Sequence, residues 1–191
     1  MKKGTIFPIF VLLIALGTGP AMAGEIAGVV MEDTITAQGH VLSLVGMGVR
    51  NKVVVRVYAA GLYMAEPSLD PERIVASDQP KALRMRFLYK KVEGEKLREA
   101  WVDGFEKNTP DAPPDLKERM GHFVGLFSSD ALKGDEYLFS YIPGTGTTVR
   151  IGGREAAVIE GNDFASALMR IWFGDHPADK GLKKSVLGGM N

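Results

Sequence analysis

Three short strand patterns near the C-terminal end of the chain are joined by turns that permit only antiparallel pairing. The strands span residues 137–142, 147–151 and 156–159, and the turns are Pro143-Gly-Thr-Gly146 and Gly152-Gly153. Turns this short connect antiparallel neighbours, because parallel strands need a crossover of about a dozen residues or more. The chain must therefore contain an antiparallel sheet.

The rest of the chain adds further strands and several helices. Strand patterns occupy 26–31, 40–45, 49–64 and 81–89, and we interpret 49–64 as one long strand. Apolar residues at helical spacing predict helices over 93–108, 115–129 and 163–173, with a short last helix after Pro177. This order predicts an α+β fold, a large antiparallel sheet with helices packed on one face.

The first 23 residues have the pattern of a secretory signal peptide. Lys2 and Lys3 precede a mostly apolar run at 6–16, and Ala21-Met-Ala23 offers small residues for cleavage. An uncleaved anchor is the alternative, but this run is shorter than the roughly 18 residues that span a bilayer. We predict a signal peptide at 1–23 and one mature domain at 24–191. The mature protein would be periplasmic or secreted, with no integral membrane segment.

The composition excludes several kinds of chemistry. There is no cysteine, which excludes thiol catalysis and thiolate metal ligands, and the three histidines are too scattered to predict a metal site. With 23 basic and 23 acidic residues the net charge is zero, so no nucleic acid partner is predicted, and the basic run around Tyr89-Lys-Lys91 fits a solvent-exposed strand face. The glycine-rich stretches fit hairpin turns and not phosphate loops, so no cofactor is predicted.

The segment at 49–64 begins with cations in an otherwise apolar strand. On one regular strand a single face would carry Arg50, Lys52, Arg56 and Tyr58. One interpretation is a solvent-exposed face. The other is that Arg50 enters a cavity between sheet and helices and holds an anion there. Arginine suits this role, because its planar guanidinium binds a carboxylate through two parallel bonds and stays charged when partly buried.

Aromatic side chains on the helices would form the apolar walls of such a cavity. These aromatics lie on the apolar stripes of the first two helices, although residues of this kind most often belong to an ordinary core. Tyr58 or Tyr63 would add a hydroxyl donor near the arginine. No residue is predicted to be catalytic, and the predicted ligand-binding residues are Arg50, Tyr58, Tyr63, Trp101, Phe105 and Phe123.

Several motifs resemble those of the chalcone isomerase-like family. The clearest are Gly46-Met-Gly-Val-Arg50 and Val57-Tyr-Ala-Ala-Gly-Leu-Tyr63, and the similarity continues through the Gly134 to Thr147 hairpin and Ile171-Trp-Phe-Gly-Asp175. The resemblance implies an open-faced β-sandwich with a ligand cleft between the large sheet and the helices. Members of the family cyclise chalcones or bind fatty acids without catalysis. The bacterial members, which this chain most resembles, are largely uncharacterised.

The resemblance, applied residue by residue, favours binding over catalysis. The family's ligand-facing arginine matches Arg50. The polar groups that assist it in the true isomerases fall, when the sequences are aligned by eye, at Tyr58, Val92, Glu99, and Ile159 or Glu160. Only the arginine is kept, and each lost donor of this kind costs about 3–4 kcal/mol of transition-state stabilisation.

The sequence thus predicts a non-catalytic binding protein for a fatty acid or a similar small amphipathic carboxylate. Two alternatives remain. One is an intramolecular lyase or isomerase that acts on chalcone-like phenolic substrates, and the other is a protein-interaction module whose vestigial cleft is filled by Trp101 and Phe105. The sequence identifies no protein partner.

Overall fold

The computed structural model describes residues 24–188, so the signal-peptide prediction for 1–23 lies outside the described residues. The strands are β1 (Gly24–Ile26), β2 (Val29–Met31), β3 (Thr34–Ala37), β4 (His40–Lys52), β5 (Val55–Met64), β6 (Lys81–Phe87), β7 (Lys91–Val92), β8 (Ala131–Leu132), β9 (Glu136–Ile142), β10 (Gly146–Ile151) and β11 (Arg154–Ile159). The helices are α1 (Pro71–Ala76), α2 (Gly94–Asn108), α3 (Pro114–Gly125), α4 (Asn162–Phe173) and α5 (Lys180–Leu187).

Seven of the strands form one antiparallel sheet that curls strongly. Their order is β11-β10-β9-β6-β5-β4-β3. The side-chain amide of Gln38, in the turn between β3 and β4, donates a hydrogen bond of 2.6 Å to Thr148 Oγ1 on β10. These two strands are far apart in the strand order, so the sheet must bend until its two ends approach each other.

The helices cover one face of this sheet, called the inner face here, which confirms the predicted α+β arrangement. All five contribute buried residues to one large core that lies against that face. At its centre the Trp101 ring lies 5.3 Å from the rings of Phe123 and Phe127 and 5.7 Å from that of Phe139, all between centroids. Aromatic contacts of this kind, two of them edge-to-face, add to the free energy gained from burial alone.

The outer face of the sheet has a smaller apolar cluster, partly covered by the β1–β2 hairpin. Met31 is fully buried there against β5. A Cβ at Gly61 would lie 3.2 Å from both Met31 Sδ and Tyr63 Cε2, so the absent side chain lets the hairpin approach the strand. Within residues 24–188, no helix is both long enough and apolar enough to cross a bilayer.

The interpretation of 49–64 as one long strand is wrong. The chain reverses at Val53 and Val54, which separate β4 from β5 in an antiparallel hairpin. Val53 takes a positive φ of 57°, a conformation that β-branched residues rarely adopt, and the segment has no glycine or asparagine at the turn. The usual turn signal is therefore missing from the sequence. As a consequence, Arg50 and Tyr58 lie on different strands and are directly paired.

Candidate functional site

The Gly46-Met-Gly-Val-Arg50 motif of β4 positions the arginine. Gly46, Gly48 and Arg50 alternate along the strand and share the inner face, opposite Leu62, Ala60 and Tyr58 of β5. A Cβ at Gly46 would lie 2.1 Å from the Val186 carbonyl oxygen, and one at Gly48 would lie 2.9 Å from that of Leu182. Because these two glycines have no side chain, helix α5 packs directly on the strand.

Arg50 is the next residue on this face, beyond the start of α5. The helix begins after Asp179, whose carboxylate accepts hydrogen bonds from the backbone N–H groups of Leu182, at 2.9 Å, and Asn51, at 2.7 Å. The Arg50 side chain is half-buried and lines a cavity. Within residues 24–188 its guanidinium has no carboxylate within 4 Å and no hydrogen-bond partner.

Tyr58 provides a polar group beside this cation. The Arg50 Cζ atom lies 5.8 Å from the centroid of the Tyr58 ring. The Tyr58 hydroxyl accepts a 2.9 Å hydrogen bond from Trp172 Nε1, and its own proton has no acceptor in the described part of the chain. Burial raises the pKa of Tyr58, with the Arg50 guanidinium and the Trp172 N–H opposing that shift. The hydroxyl thus stays protonated near neutral pH and can donate to a ligand atom.

The cavity lies between the inner face of the sheet and helix α2, and its volume is about 680 Å³. That volume falls within the range of roughly 300–1,000 Å³ that is typical of small-molecule sites. Its apolar wall combines side chains from the sheet with others from α2 and α4, including Val57, Met85, Phe87, Leu97, Trp101 and Ile171. An apolar wall with a few polar groups suits an amphipathic ligand.

The cavity lining is far more basic than the chain as a whole, whose net charge is zero. Three of its lysines have carboxylate partners: Lys91 with Asp130, Lys96 with Glu99 and Lys107 with Asp103. Among the residues that the structure describes, Arg50, Lys52 and Lys90 have none. The charged residues of the lining are Arg50, Lys52, Lys90, Lys91, Lys96, Lys107, Glu93 and Asp103. This excess of positive charge favours an anion over a neutral ligand.

The predicted ligand-binding residues fall into three places. Arg50, Tyr58 and Trp101 come together as parts of the cavity lining. Phe105 and Phe123 lie in the core behind Trp101, with their ring centroids 5.8 Å apart. Tyr63 lies in the outer-face cluster, on the other side of the sheet from this cavity.

Sequence reasoning missed most of the cavity rim. Tyr89 and Lys90, which the sequence assigned to a solvent-exposed strand face, line the cavity, as do His176 and Pro177 from the loop before α5. The only signal for the rim was the basic run that directly follows β6. Within residues 24–188 there is no group of three histidine or acidic side chains that could hold a metal ion.

Known proteins resemble this chain in sequence pattern and in fold. A family model described as chalcone isomerase-like matches residues 23–188. The chain belongs to the chalcone isomerase-like family. Among solved structures, it is similar to the crystal structure of a fatty-acid binding protein from Arabidopsis thaliana. The identity is 16%, the TM-score is 0.69, and the match covers 87% of this chain and 96% of that one.

At this identity the structural match shows the fold, and it confirms the chalcone isomerase-like fold that the sequence motifs implied. A search of curated proteins finds no match. The structure shows the surroundings of three positions that align with polar groups of the true isomerases. Val92 lines the cavity without a hydroxyl, Glu99 pairs with Lys96 on the exposed side of α2, and Ile159 is buried in the core.

Proposed function

We propose that this protein binds a fatty acid or a similar small amphipathic carboxylate without catalysis. The observation that carries the proposal is the Arg50 guanidinium, which has no partner among residues 24–188 and lies next to the Tyr58 ring, at the edge of a cavity with an apolar wall. The carboxylate would pair with Arg50 and accept a hydrogen bond from Tyr58. The hydrocarbon chain would lie along Leu97, Trp101 and Ile171.

Three further observations support the proposal. The structural neighbour from Arabidopsis thaliana is a fatty-acid binding protein. The wall residue Val92 offers no donor at the position aligned with a catalytic tyrosine of the isomerases, so a developing enolate would lack that stabilisation. The cavity remains beside Trp101, which leaves room for a small ligand.

The first experiment compares a fatty acid with the alcohol of the same chain length. Hexadecanoate and hexadecanol are titrated into the protein while tryptophan fluorescence is recorded, because Trp101 lines the cavity. We expect Arg50→Gln to weaken hexadecanoate binding about 10- to 100-fold, the amount typical of a lost hydrogen bond to a charged group. Binding of hexadecanol should not change, since the alcohol has no charge for Arg50 to hold.

The matched control is Arg56→Gln. Arg56 is an exposed arginine on the adjacent strand β5, and it is not part of the cavity lining. It should leave both affinities unchanged. Equal binding of hexadecanoate by Arg50→Gln would show that Arg50 is not the anchor. A different result would be that the unmodified protein binds neither ligand and converts a chalcone in an absorbance assay. That pair of results would show that the protein is an isomerase and not a fatty-acid binding protein.

The proposal includes export, which follows from the signal-peptide pattern at 1–23 and not from the fold. Expression of the full chain in a Gram-negative bacterium should give a periplasmic protein that begins at Gly24. Intact-mass measurement of the periplasmic fraction checks the start point. A cytoplasmic protein that retains residues 1–23 would contradict this part of the proposal and leave the binding assay unaffected.

A further inference from the structure

The tip of the β4–β5 hairpin exposes two valines side by side. Val53 is 93% exposed and Val54 is 91% exposed, more than any other large apolar residue of the described chain. Single exposed apolar residues are ordinary, but two adjacent ones at the end of a projecting hairpin are typical of an interaction surface. In the described structure nothing covers either side chain.

The backbone conformation of the turn does not favour valine. Lys52 pairs with Val55, which leaves a two-residue loop whose first residue, Val53, has a φ of 57°. Hairpin loops with a positive φ at this position strongly prefer glycine, because a side chain is strained there. Backbone strain of this kind is found mainly where function requires the residue. The sequence therefore keeps an apolar side chain at the tip against the preference of the backbone.

The surroundings of the tip are cationic. Residues 49–58 contain Arg50, Lys52 and Arg56 and no acidic residue. The nearby carboxylate of Asp179 accepts hydrogen bonds from the backbone N–H groups of Asn51 and Leu182 and keeps its negative charge, but the three cations outnumber it. Exposed apolar side chains surrounded by basic ones match the interface of a bilayer with anionic headgroups, where the apolar groups enter the acyl boundary and the cations remain among the phosphates.

We propose that this hairpin tip docks on the surface of a bilayer that contains anionic phospholipid. A protein partner is less suited to the tip, because lysine is depleted at the centre of protein interfaces. The flanking residues Lys52 and Val55 both line the cavity, so docking would bring the cavity rim to the lipid surface. The inference does not depend on the identity of the cavity ligand.

Vesicle sedimentation tests the proposal with residues 24–191, which contain every described element of the fold and lack the apolar run at 6–16. The vesicles are phosphatidylcholine with or without phosphatidylglycerol. We expect binding to the phosphatidylglycerol vesicles only. Val53→Gly/Val54→Asn should weaken it about tenfold or more, because the two apolar side chains that would enter the lipid are lost. The same variant should melt at an equal or higher temperature, because glycine fits the positive φ.

Two controls separate the apolar contribution from the charge. Val41→Asn changes a valine that is 63% exposed at the opposite end of β4, and it should leave binding unchanged. Arg56→Gln should weaken binding about fivefold at low salt and have little effect at high salt. Equal binding by Val53→Gly/Val54→Asn would overturn the proposal. The proposal would also be overturned if the unmodified protein did not sediment with the vesicles, including the case in which it forms dimers through the tip.

Discussion

Two arginine–tyrosine neighbourhoods lie on opposite faces of the same sheet, and they differ in how the charge is balanced. On the outer face, Arg84 of β6 shares its face with Tyr63 and pairs with the carboxylates of Glu32 and Glu136, the latter at 2.8 Å from Arg84 Nε. On the inner face, Arg50 lies beside Tyr58 and has no carboxylate partner in the described chain. Both neighbourhoods contain an arginine and a tyrosine, but within the described chain only Arg84 has its charge balanced by carboxylates.

The difference separates a structural cation from a cation available to a ligand. Arg84 is neutralised by acidic partners on the protein itself. Lys81 is a fully buried cation on β6, and its Nζ donates hydrogen bonds to the backbone carbonyl oxygens of Ile74, Val75 and Ser77. Burial lowers the pKa of Lys81 to about 8. Among residues 24–188, Arg50 has neither kind of partner, and its side chain lines a cavity. Position and pairing, more than residue type, therefore single out Arg50 as the candidate ligand-binding cation.

The largest expected effect comes from replacing Gly46, which lets α5 pack directly on β4 next to Arg50. Gly46→Ala would put a Cβ atom 2.1 Å from the Val186 carbonyl oxygen, so the helix must move. We expect the free energy of unfolding to fall by about 3 kcal/mol, at the upper end of the usual cost of overpacking. Urea unfolding followed by circular dichroism measures the change.

Gly121→Ala is the matched control for that substitution. Gly121 lies in the middle of α3, and a Cβ there would meet nothing within 4 Å. This variant should be more stable than the unmodified protein by about 0.5–1 kcal/mol, because alanine favours the helix. If both variants unfold at the same urea concentration as the unmodified protein, the close contact between β4 and α5 does not exist in solution.

The next effect contrasts the two arginines directly. Arg84→Met should reduce the free energy of unfolding by about 1–2 kcal/mol, because Glu32 loses its cation and Glu136 keeps only the longer pair with Arg86, at 3.5 Å, on a partly buried surface. Arg50→Met should change stability by no more than about 0.5 kcal/mol, since no partner is left behind. Thermal and urea unfolding of both variants provide the test. A larger loss for Arg50→Met would mean that Arg50 is itself a structural cation.

The sheet, the main helices and the choice of Arg50 as a candidate residue follow from local signals in the sequence. Strand periodicity, amphipathic stripes and hairpin glycines gave β9 to β11 and the helices α2 and α4 within a few residues. The hairpin at Val53 could not be predicted, because its turn lacks the residues that such a turn prefers. Arg50 and Tyr58 do share a face, but through pairing across two strands and not along one.

The remainder of the site depends on distant contacts that no local pattern encodes. Lys107 from α2 and Pro177 from the loop before α5 meet at the cavity only after the sheet has curled and the helices have packed. Phe105 and Phe123 lie on apolar helical stripes as Trp101 does, but they belong to the core and do not line the cavity. Spacing alone does not tell the wall of a cavity from the core behind it.

The smallest expected effect distinguishes the two tyrosines that flank these arginines. Tyr58→Phe leaves the buried Trp172 Nε1–H without its acceptor, so the free energy of unfolding should fall by about 1–2 kcal/mol. Within the described part of the chain the buried Tyr63 hydroxyl has no hydrogen-bond partner, and burial raises the pKa of Tyr63 to about 12 against the opposing effect of Arg84. Tyr63→Phe should therefore keep the stability unchanged or raise it by up to about 1 kcal/mol.

Ligand affinity separates the same two variants a second time. Tyr58→Phe should weaken hexadecanoate binding by about three- to tenfold, the effect of one lost neutral hydrogen bond, while Tyr63→Phe should not change it because Tyr63 lies on the other face of the sheet. Fluorescence titration of both variants measures this difference. A loss of affinity in Tyr63→Phe alone would move the ligand to the outer face and make Arg84 the anchor. Loss in neither would leave Arg50 as the carboxylate's only partner, with Tyr58 serving to hold Trp172 in place.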